Sequence, residues 1–464
     1  MSQAATRPMK LRSRGSVWGL RLAVVIVVVI ALVGYLMSAA DSRMKSALAK
    51  LDQDDPGWHL DDIEASRAVI PDEQNSARVI MKVVDLLPAD WPSNEFAVAV
   101  TEQPPEKRLS PAEHGRLCNE LNEVIEALAA AQQLPDLPRG RHRLVIKRPN
   151  VFTTLLLDQQ KTRAVASLLD YSARRNTAEG KLSAALRDCR GIANCGRSMG
   201  DEPFLISMLI RTACVSIACN TAQVPLAQGE PPAAELEALQ RLLEDEDRFS
   251  ELEIGVRGER ASLQEMFTAY EKGEITLKDL GDGPLPGEKF FGIFFHTAAE
   301  NEHPEMLSIM TRFLEASRLP LHERPDVMDA LNQEIRSMSR THVLTRMLVP
   351  AVSSVANSSQ RKHALVRTMI VCLALERYRQ AKHAWPATLD ALAPDYLSSV
   401  PLDPFDGKPL RYRQLPDGLV VYSVGTDRVD NEGNLADGKK MIQPGYDIGY
   451  RMWNVDKRAQ KPNE

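Results

Sequence analysis

A long apolar stretch close to the N-terminus constrains this chain more than any other feature. From Leu22 to Met37 the sequence reads LAVVIVVVIALVGYLM and contains no charged residue. Counted back through Trp18, with Arg21 able to reach the headgroups, the stretch is about 20 residues long, which is enough to cross the hydrocarbon core of a membrane as a helix. The sequence therefore predicts a transmembrane helix over residues 16–38.

The charges on the two sides of this stretch are unequal. Basic residues without any acidic residue precede it: Arg7, Lys10, Arg12, Arg14 and Arg21. An excess of Lys and Arg marks the cytoplasmic side of a membrane segment. We therefore expect residues 1–15 to form a basic cytoplasmic tail, and the rest of the chain to lie in the periplasm, outside a bacterial cytoplasmic membrane. The alternative is a cleaved secretory signal, for which Met37–Ala40 supplies small residues.

Composition narrows the fold class of the remainder. Aromatic residues make up 5% of the 464 residues, whereas unbranched helix-forming residues are plentiful. The formal net charge of −5 lacks the strong positive balance of a nucleic-acid-binding protein, so we expect no nucleic-acid partner. The length allows two or three domains. The sequence thus predicts a mainly α protein.

The middle of the chain carries the clearest helical periodicity. We expect a stalk with a short helix, loops and a short strand at Phe96–Val100 over residues 39–110, and an α-helical domain over residues 111–358. Ser110 and Pro111 form a helix start signal, with serine as the N-cap and proline at the first helical position. Paired helices with short glycine-containing turns are typical of tetratricopeptide-like stacking, although a period of 34 residues is not evident.

The six cysteines contain no CxxC pair and no zinc pattern. Disulfides form readily outside the cytoplasm. A helical hairpin turning near Gly200 would bring Cys189 level with Cys214, which predicts a disulfide between them. The alternative is that both are buried free thiols, the usual environment of unpaired cysteine.

The character of the chain changes after a last helix predicted from Ser359 to Lys382. Several prolines follow, and then two short alternating segments, Leu410–Arg413 and Leu419–Val424. The residues between them, Pro416-Asp417-Gly418, are typical of a hairpin turn. Residues 359–464 are therefore predicted to form a small α+β module with a short antiparallel sheet.

Four segments of this module follow one another along the chain: LALERYRQAKHAWPATLDAL, VPLDPFDGKPLRYR, VVYSVGTD and YDIGYRMW. In these segments and their order the module resembles the periplasmic domain of the major pseudopilin of type II secretion systems. The resemblance covers roughly the last 90 residues and implies a rigid docking head that contacts protein partners in the envelope. A pilin also needs a cleavage motif and a helix continuous with its head. This chain has neither, so we do not expect it to polymerise.

The same resemblance implies a calcium site. Asp427 matches the family's Gly-x-Asp ligand, Asp447 matches its Asp-Ile ligand, and Asp430 and Asp437 are the further acidic candidates in the loop between them. Carboxylate and carbonyl oxygens on a flexible loop suit Ca²⁺. The loop is longer than in the family and carries Lys439 and Lys440, so a solvated acidic loop without metal is the alternative.

Two segments of the remainder are PDEQNSARVIMKVVDLLP and DEPFLISMLIR. In these the chain resembles membrane-anchored helical proteins of planctomycete-type bacteria, to which no function is assigned. No nucleophile elbow, phosphate-binding loop or HExxH helix occurs in the sequence. Glu300 and His303 form half of a di-iron motif without its second half. We therefore expect a non-enzymatic, membrane-anchored scaffold or interaction protein. The alternatives are an accessory component of a type II secretion system and a hydrolase with an unrecognised site in the helical domain.

Overall fold

The computed structural model describes residues 14–89, 91–92, 103–154, 156–280, 288–339, 342–435 and 443–462, apart from some helix side chains, among them those of residues 288–298. The fold is mainly α with a small antiparallel sheet near the C-terminus, as the sequence predicts. The helices are α1 (Arg14–Asp54), α2 (Leu60–Ser66), α3 (Ser76–Leu86), α4 (Pro111–Glu123), α5 (Ile125–Ala131), α6 (Leu157–Ala178), α7 (Leu182–Arg197), α8 (Leu205–Gln228), α9 (Ala233–Asp247), α10 (Glu251–Glu271), α11 (Glu288–Ser317), α12 (Arg324–Ser337), α13 (Val343–Leu348) and α14 (Pro350–Lys382).

Helix α1 unites the apolar N-terminal stretch and the stalk in one rod of 41 residues. At 1.5 Å per residue the rod is about 60 Å long. Its C-terminal part packs on the body, where Leu51 joins the core formed by α10 and α11. Arg43 donates to Asn301 Oδ1 at 2.5 Å. The stalk is therefore a helix docked along the body rather than a free tether.

Three antiparallel helices, α6, α7 and α8, form the centre of the body. Small residues let them approach closely: a Cβ on Gly196 would lie 2.8 Å from the Arg211 carbonyl oxygen. Among the residues searched, α8 is the one helix long and apolar enough to cross a membrane, but 67% of its most apolar window is buried inside the protein. We conclude that α8 is the core helix of the body.

The sheet consists of β1 (Arg411–Leu415), β2 (Gly418–Ser423) and β3 (Ile448–Trp453), in the order β1-β2-β3. Leu415 pairs with Gly418, which leaves a two-residue turn at Pro416-Asp417. β2 is buried along its whole length, and its residues share one hydrophobic cluster with α8, α9 and α14. The sheet is therefore built onto the helical body through a continuous core.

Some element boundaries differ from the sequence-based expectations. The last long helix begins at Pro350, nine residues before Ser359, because a proline in the first turn of a helix loses no hydrogen bond. Helix α11 continues through Pro304, although a proline inside a helix usually ends or kinks it. A predicted strand at Phe96–Val100 lies outside the described residues.

Candidate functional site

The structure gives each predicted calcium ligand that it describes a set of hydrogen-bond donors. Asp447 is fully buried, and its carboxylate accepts backbone N–H groups of Gly433 at 2.8 Å and Asn431 at 3.3 Å. Asp427 accepts the N–H groups of Val429 and Gly445 at 3.0 and 2.7 Å.

Asp430, the third of these carboxylates, accepts the Tyr422 hydroxyl at 2.9 Å. Burial raises the pKa of Asp447, with a further rise from the charge of Asp430, against the lowering by backbone donors. Asp437 lies outside the described residues. The predicted calcium site therefore stays a prediction: in the described part of the loop the backbone donates to Asp447, and carboxylate oxygens retain lone pairs beyond those that these donors use.

The two cysteines of the predicted disulfide do not lie opposite each other. All six cysteines are free, and Cys214 lies across from Gly196, 3.1 Å from the position of a Cβ on that glycine. Cys189 is seven residues from Gly196 on α7, about 10 Å along the helix axis, beyond the Cα separation that a disulfide spans. The loop that connects the two helices, residues 198–204, is centred on residue 201, close to Gly200, but the helices do not pair symmetrically about that point. This displaces the register of the hairpin by several residues.

A group of buried charges joins α14 to the corner between α9 and α10, and we call it the ionic cluster. Lys362 Nζ lies 2.9 Å from Glu251 Oε1, with the two side chains 1% and 3% exposed. His363 Nδ1 lies 2.8 Å from Asp247 Oδ1, and its Nε2 lies 3.4 Å from Glu251 Oε1. Buried charges persist only when they are paired, so these contacts hold α14 against the corner.

Two arginines complete the ionic cluster. Arg211 donates to both carboxylate oxygens of Glu246, at 2.8 and 2.7 Å. This bidentate ion pair is stronger than a single hydrogen bond. Arg367 donates Nε–H to the Asp247 carboxylate at 2.9 Å. It also donates to the Leu402 carbonyl oxygen at 2.7 Å. The ionic cluster therefore connects the helical body to the segment that leads into the sheet.

The cations of the ionic cluster keep its carboxylates ionised. Burial alone would raise the pKa of Glu251, but Lys362 and His363 hold that pKa well below its ordinary value. Burial also opposes ionisation of Asp247, and His363 and Arg367 again outweigh it and lower the pKa. A carboxylate with a lowered pKa is a weak proton acceptor, unlike a general base whose pKa is matched to neutral pH.

His363 is also poorly arranged for acid–base catalysis. Each of its ring nitrogens faces a carboxylate, Asp247 on one side and Glu251 on the other. A general base needs a nitrogen lone pair directed at the proton that it removes. This histidine therefore has a structural role in the ionic cluster.

A cleft of about 380 Å³ opens beside the ionic cluster, and we call it the arginine cleft. It lies between the α9–α10 corner, the α11–α12 corner and α14. Four arginines are among its lining residues: Arg248, Arg318, Arg324 and Arg367. A cleft lined by guanidinium groups suits a carboxylate or phosphate group, because the fork of N–H donors matches the oxygens of such anions.

Three of these arginines are already paired with carboxylates. Arg248 lies 2.6 Å from Asp245, Arg318 lies 2.7 Å from Glu253, and Arg367 is held by Asp247. Their positive charges are consequently neutralised by these carboxylates, and they contribute mainly to the shape of the cleft. The positive electrostatic potential of the cleft depends chiefly on the fourth arginine.

Arg324 differs from the other three. It donates Nε–H to the Leu319 carbonyl oxygen at 2.8 Å, and its guanidinium forms no ion pair with any carboxylate in the described part of the chain. Burial lowers the pKa of Arg324; the charges of Glu251, Glu253 and Asp247 oppose this, and the charge of Arg367 adds to it. A half-buried cation of this kind gains stabilisation from a bound anion. The arginine cleft is thus a candidate anion-binding site.

Sequence reasoning did not find the arginine cleft or the ionic cluster. Their residues come from corners that are far apart in the sequence; Asp247 and His363, for example, are separated by 116 positions. One signal was present: Lys362 and His363 end a polar stretch, SSQRKH, that lies within the last long helix directly before Ala364, Leu365 and Val366. A charged pair on a buried helix face indicates buried partners without identifying them.

Comparison of the chain with protein-family models, with curated proteins and with solved structures gave no match.

Proposed function

We propose that this chain is a non-enzymatic binding protein, anchored by α1 in the bacterial cytoplasmic membrane, that recognises an anionic group of an envelope partner in the arginine cleft. The observation that carries the proposal is Arg324, a half-buried cation lining the cleft that forms no direct ion pair with a carboxylate of the described residues. The other three arginines hold the walls in place through their own ion pairs. The site is thus arranged for binding, and its neighbouring histidine is not arranged for proton transfer.

The position of the arginine cleft supports a role in docking. It lies where the body meets the segment leading into the sheet: Gln360 on α14 donates to the carbonyl oxygens of Leu321 and Pro404. Arg367 reaches Leu402 in the same segment. A partner bound here contacts both parts of the molecule, and a rigid, preorganised surface lowers the entropic penalty of binding.

The membrane anchor rests on the apolar stretch of α1. Leu22 and Val24–Val28 are between 49% and 64% exposed, so the described part of the protein leaves them largely uncovered. A continuous apolar patch of this kind marks a membrane or protein contact. Together with the basic N-terminal flank, this supports an N-terminus in the cytoplasm and a body in the periplasm.

A second candidate function is that of an accessory component of a type II secretion system. It is favoured by one observation, the order of elements in the module: a long helix, a proline-rich turn and then an antiparallel sheet. The resemblance to the major pseudopilin implies this order. If the protein has this second function, the anionic group that binds in the arginine cleft belongs to a pilus subunit.

Chemical crosslinking in native membranes followed by affinity purification of the full-length protein tests the proposal. We expect one envelope partner to be recovered with the wild type and lost with Arg324→Gln. Arg78→Gln is the matched control, because Arg78 is an exposed arginine on the distant helix α3 and forms an ion pair with Asp72. Equal recovery with all three proteins would contradict the assignment of the cleft. Recovery of pilus subunits would select the second candidate.

A further inference from the structure

The N-terminus of α4 holds two metal-ligating side chains on one helix face. Ser110 Oγ accepts the Glu113 N–H at 3.3 Å, and the Glu113 carboxylate accepts the Ser110 N–H at 2.7 Å, which forms a complete capping box. This cap fixes the first turn, in which His114 lies. Cys118 follows one turn later, and residues four apart lie on the same side of a helix. His114 Nε2 is 3.6 Å from Cys118 Sγ.

A third ligand comes from the end of α6, which packs against α4. Glu179 caps this helix, with its backbone N–H bonded to the Arg175 carbonyl oxygen at 3.0 Å. Glu179 Oε1 lies 3.7 Å from His114 Nε2. Ligand atoms of His114, Cys118 and Glu179 all lie within 4.8 Å of one another, the one such group of three in the described part of the chain.

These separations match those around a tetrahedral zinc ion. Zinc binds histidine nitrogen at about 2.0–2.1 Å, cysteine sulfur at about 2.3 Å and carboxylate oxygen at about 2.0–2.2 Å. Tetrahedral angles then place nitrogen and sulfur about 3.6 Å apart, and nitrogen and oxygen about 3.4 Å apart. The observed distances are 3.6 and 3.7 Å. The third separation, between Cys118 Sγ and the Glu179 carboxylate, is within 4.8 Å, and a movement of the Glu179 side chain toward Cys118 would bring it to the roughly 3.6 Å that a tetrahedral ion requires.

The chemistry of the ligands also favours zinc. Thiolate and imidazole are ligands for Zn²⁺ and its neighbours among the transition metals, whereas Ca²⁺ and Mg²⁺ require oxygen. A thiolate and a carboxylate together balance the charge of one divalent ion. The second oxygen of Glu179 accepts Lys181 Nζ at 2.7 Å, an outer contact of the kind that orients a ligating carboxylate.

We propose that His114, Cys118 and Glu179 form a zinc-binding site with its fourth position open to solvent. The side chains of His114 and Glu179 are 35% and 27% exposed, so the ion can enter from the surface. Three protein ligands plus water is the coordination of an open zinc site. The bound ion ties the start of α4 to the end of α6, and this role is independent of the arginine cleft.

Cysteine alkylation in the folded, full-length protein tests the site directly. Cys118 is partly exposed, whereas the other five cysteines are fully buried, so a maleimide reagent reports on Cys118 alone. Because a coordinated thiolate is not available as a nucleophile, we expect Zn²⁺ to slow alkylation by about tenfold or more, and a chelator to restore it. Alkylation at the same rate with Zn²⁺ and with chelator would overturn the proposal.

Cobalt provides a second measurement that does not depend on reactivity. Co²⁺ replacing zinc should give one equivalent of bound ion per chain and a thiolate-to-metal absorption band. Cys118→Ser should remove the band, and His114→Gln should weaken binding by about tenfold or more. His342→Gln is the matched control, since His342 pairs with Glu305 at 2.7 Å without a neighbouring thiol. A band that persists in Cys118→Ser, or unchanged binding in His114→Gln, would contradict the site.

Discussion

Lys362 offers the sharpest test of the ionic cluster, because its ammonium group is almost completely removed from water. It lies 2.9 Å from Glu251 Oε1 and 3.4 Å from the Glu246 carbonyl oxygen. Replacement by methionine keeps most of the side-chain volume and removes the charge. The carboxylate of Glu251 then remains buried without its principal cation.

The expected loss of stability depends on the contacts that the Glu251 carboxylate keeps in the variant. Removing one partner of a buried ion pair costs about 3–5 kcal/mol. Glu251 retains the Ser359 hydroxyl at 2.7 Å and His363 Nε2 at 3.4 Å. These contacts compensate part of the lost attraction, so we expect Lys362→Met to lower the free energy of unfolding by about 3 kcal/mol, near the lower end of that range.

Denaturant unfolding of the full-length protein in detergent, followed by circular dichroism, measures this loss. The double variant Lys362→Met/Glu251→Gln removes both charges and should recover more than half of the lost stability. Lys45→Met is the control: its exposed pair with Asp41 on α1 should change stability by less than about 0.5 kcal/mol. A loss below about 1 kcal/mol for Lys362→Met, or a double variant as unstable as the single one, would show that the buried ion pair of Lys362 and Glu251 does not stabilise the fold as described.

Three further predictions concern other parts of the molecule. Burial raises the pKa of Asp188 to about 6; the folded protein then binds more protons than the unfolded chain, so stability should fall as pH rises from about 4 to about 6. Asp188→Asn should flatten this part of a stability–pH profile, and an unchanged slope would exclude Asp188 as its source. Gly258→Ala places a Cβ 2.0 Å from the Pro203 carbonyl oxygen and should lower the unfolding free energy by about 1–3 kcal/mol. Gly115→Ala, on a helix position with nothing within 4 Å, should instead raise it by about 0.5–1 kcal/mol, and similar denaturation midpoints for these two variants would contradict the packing described. If the acidic loop around Asp447 binds Ca²⁺ only in the folded state, saturating calcium must raise the thermal midpoint above that in chelator, and an unchanged midpoint ends the calcium hypothesis.

Local signals predicted much of the fold. The Ser110-Pro111 start signal is confirmed, because serine capping and a proline at the first helical position act within a single turn. The hairpin around Pro416-Asp417 is confirmed for the same reason: turn chemistry and strand alternation are local properties. The mainly α fold with a short antiparallel sheet follows from composition and periodicity.

Features that depend on tertiary register were not predictable in this way. The prediction for Cys189 and Cys214 was wrong because the path of the connecting loop decides which residues of the two helices lie opposite each other, and Gly196 lies across from Cys214. The surroundings of Arg324 depend on two separate corners and the helix α14 meeting, which no short window of sequence records. His114 and Cys118 are visible as an i, i+4 pair, but Glu179 completes the set from another helix.

Calorimetric titration of the full-length protein with citrate and with inorganic phosphate tests most directly whether the arginine cleft binds an anionic group. We predict saturable binding of one equivalent per chain by the wild type and by Arg78→Gln. Loss of a hydrogen-bonded charge is worth about 1.5–3 kcal/mol, so Arg324→Gln should bind at least about tenfold more weakly. No saturable binding of either anion by the wild type, or equal affinity in Arg324→Gln, would contradict it.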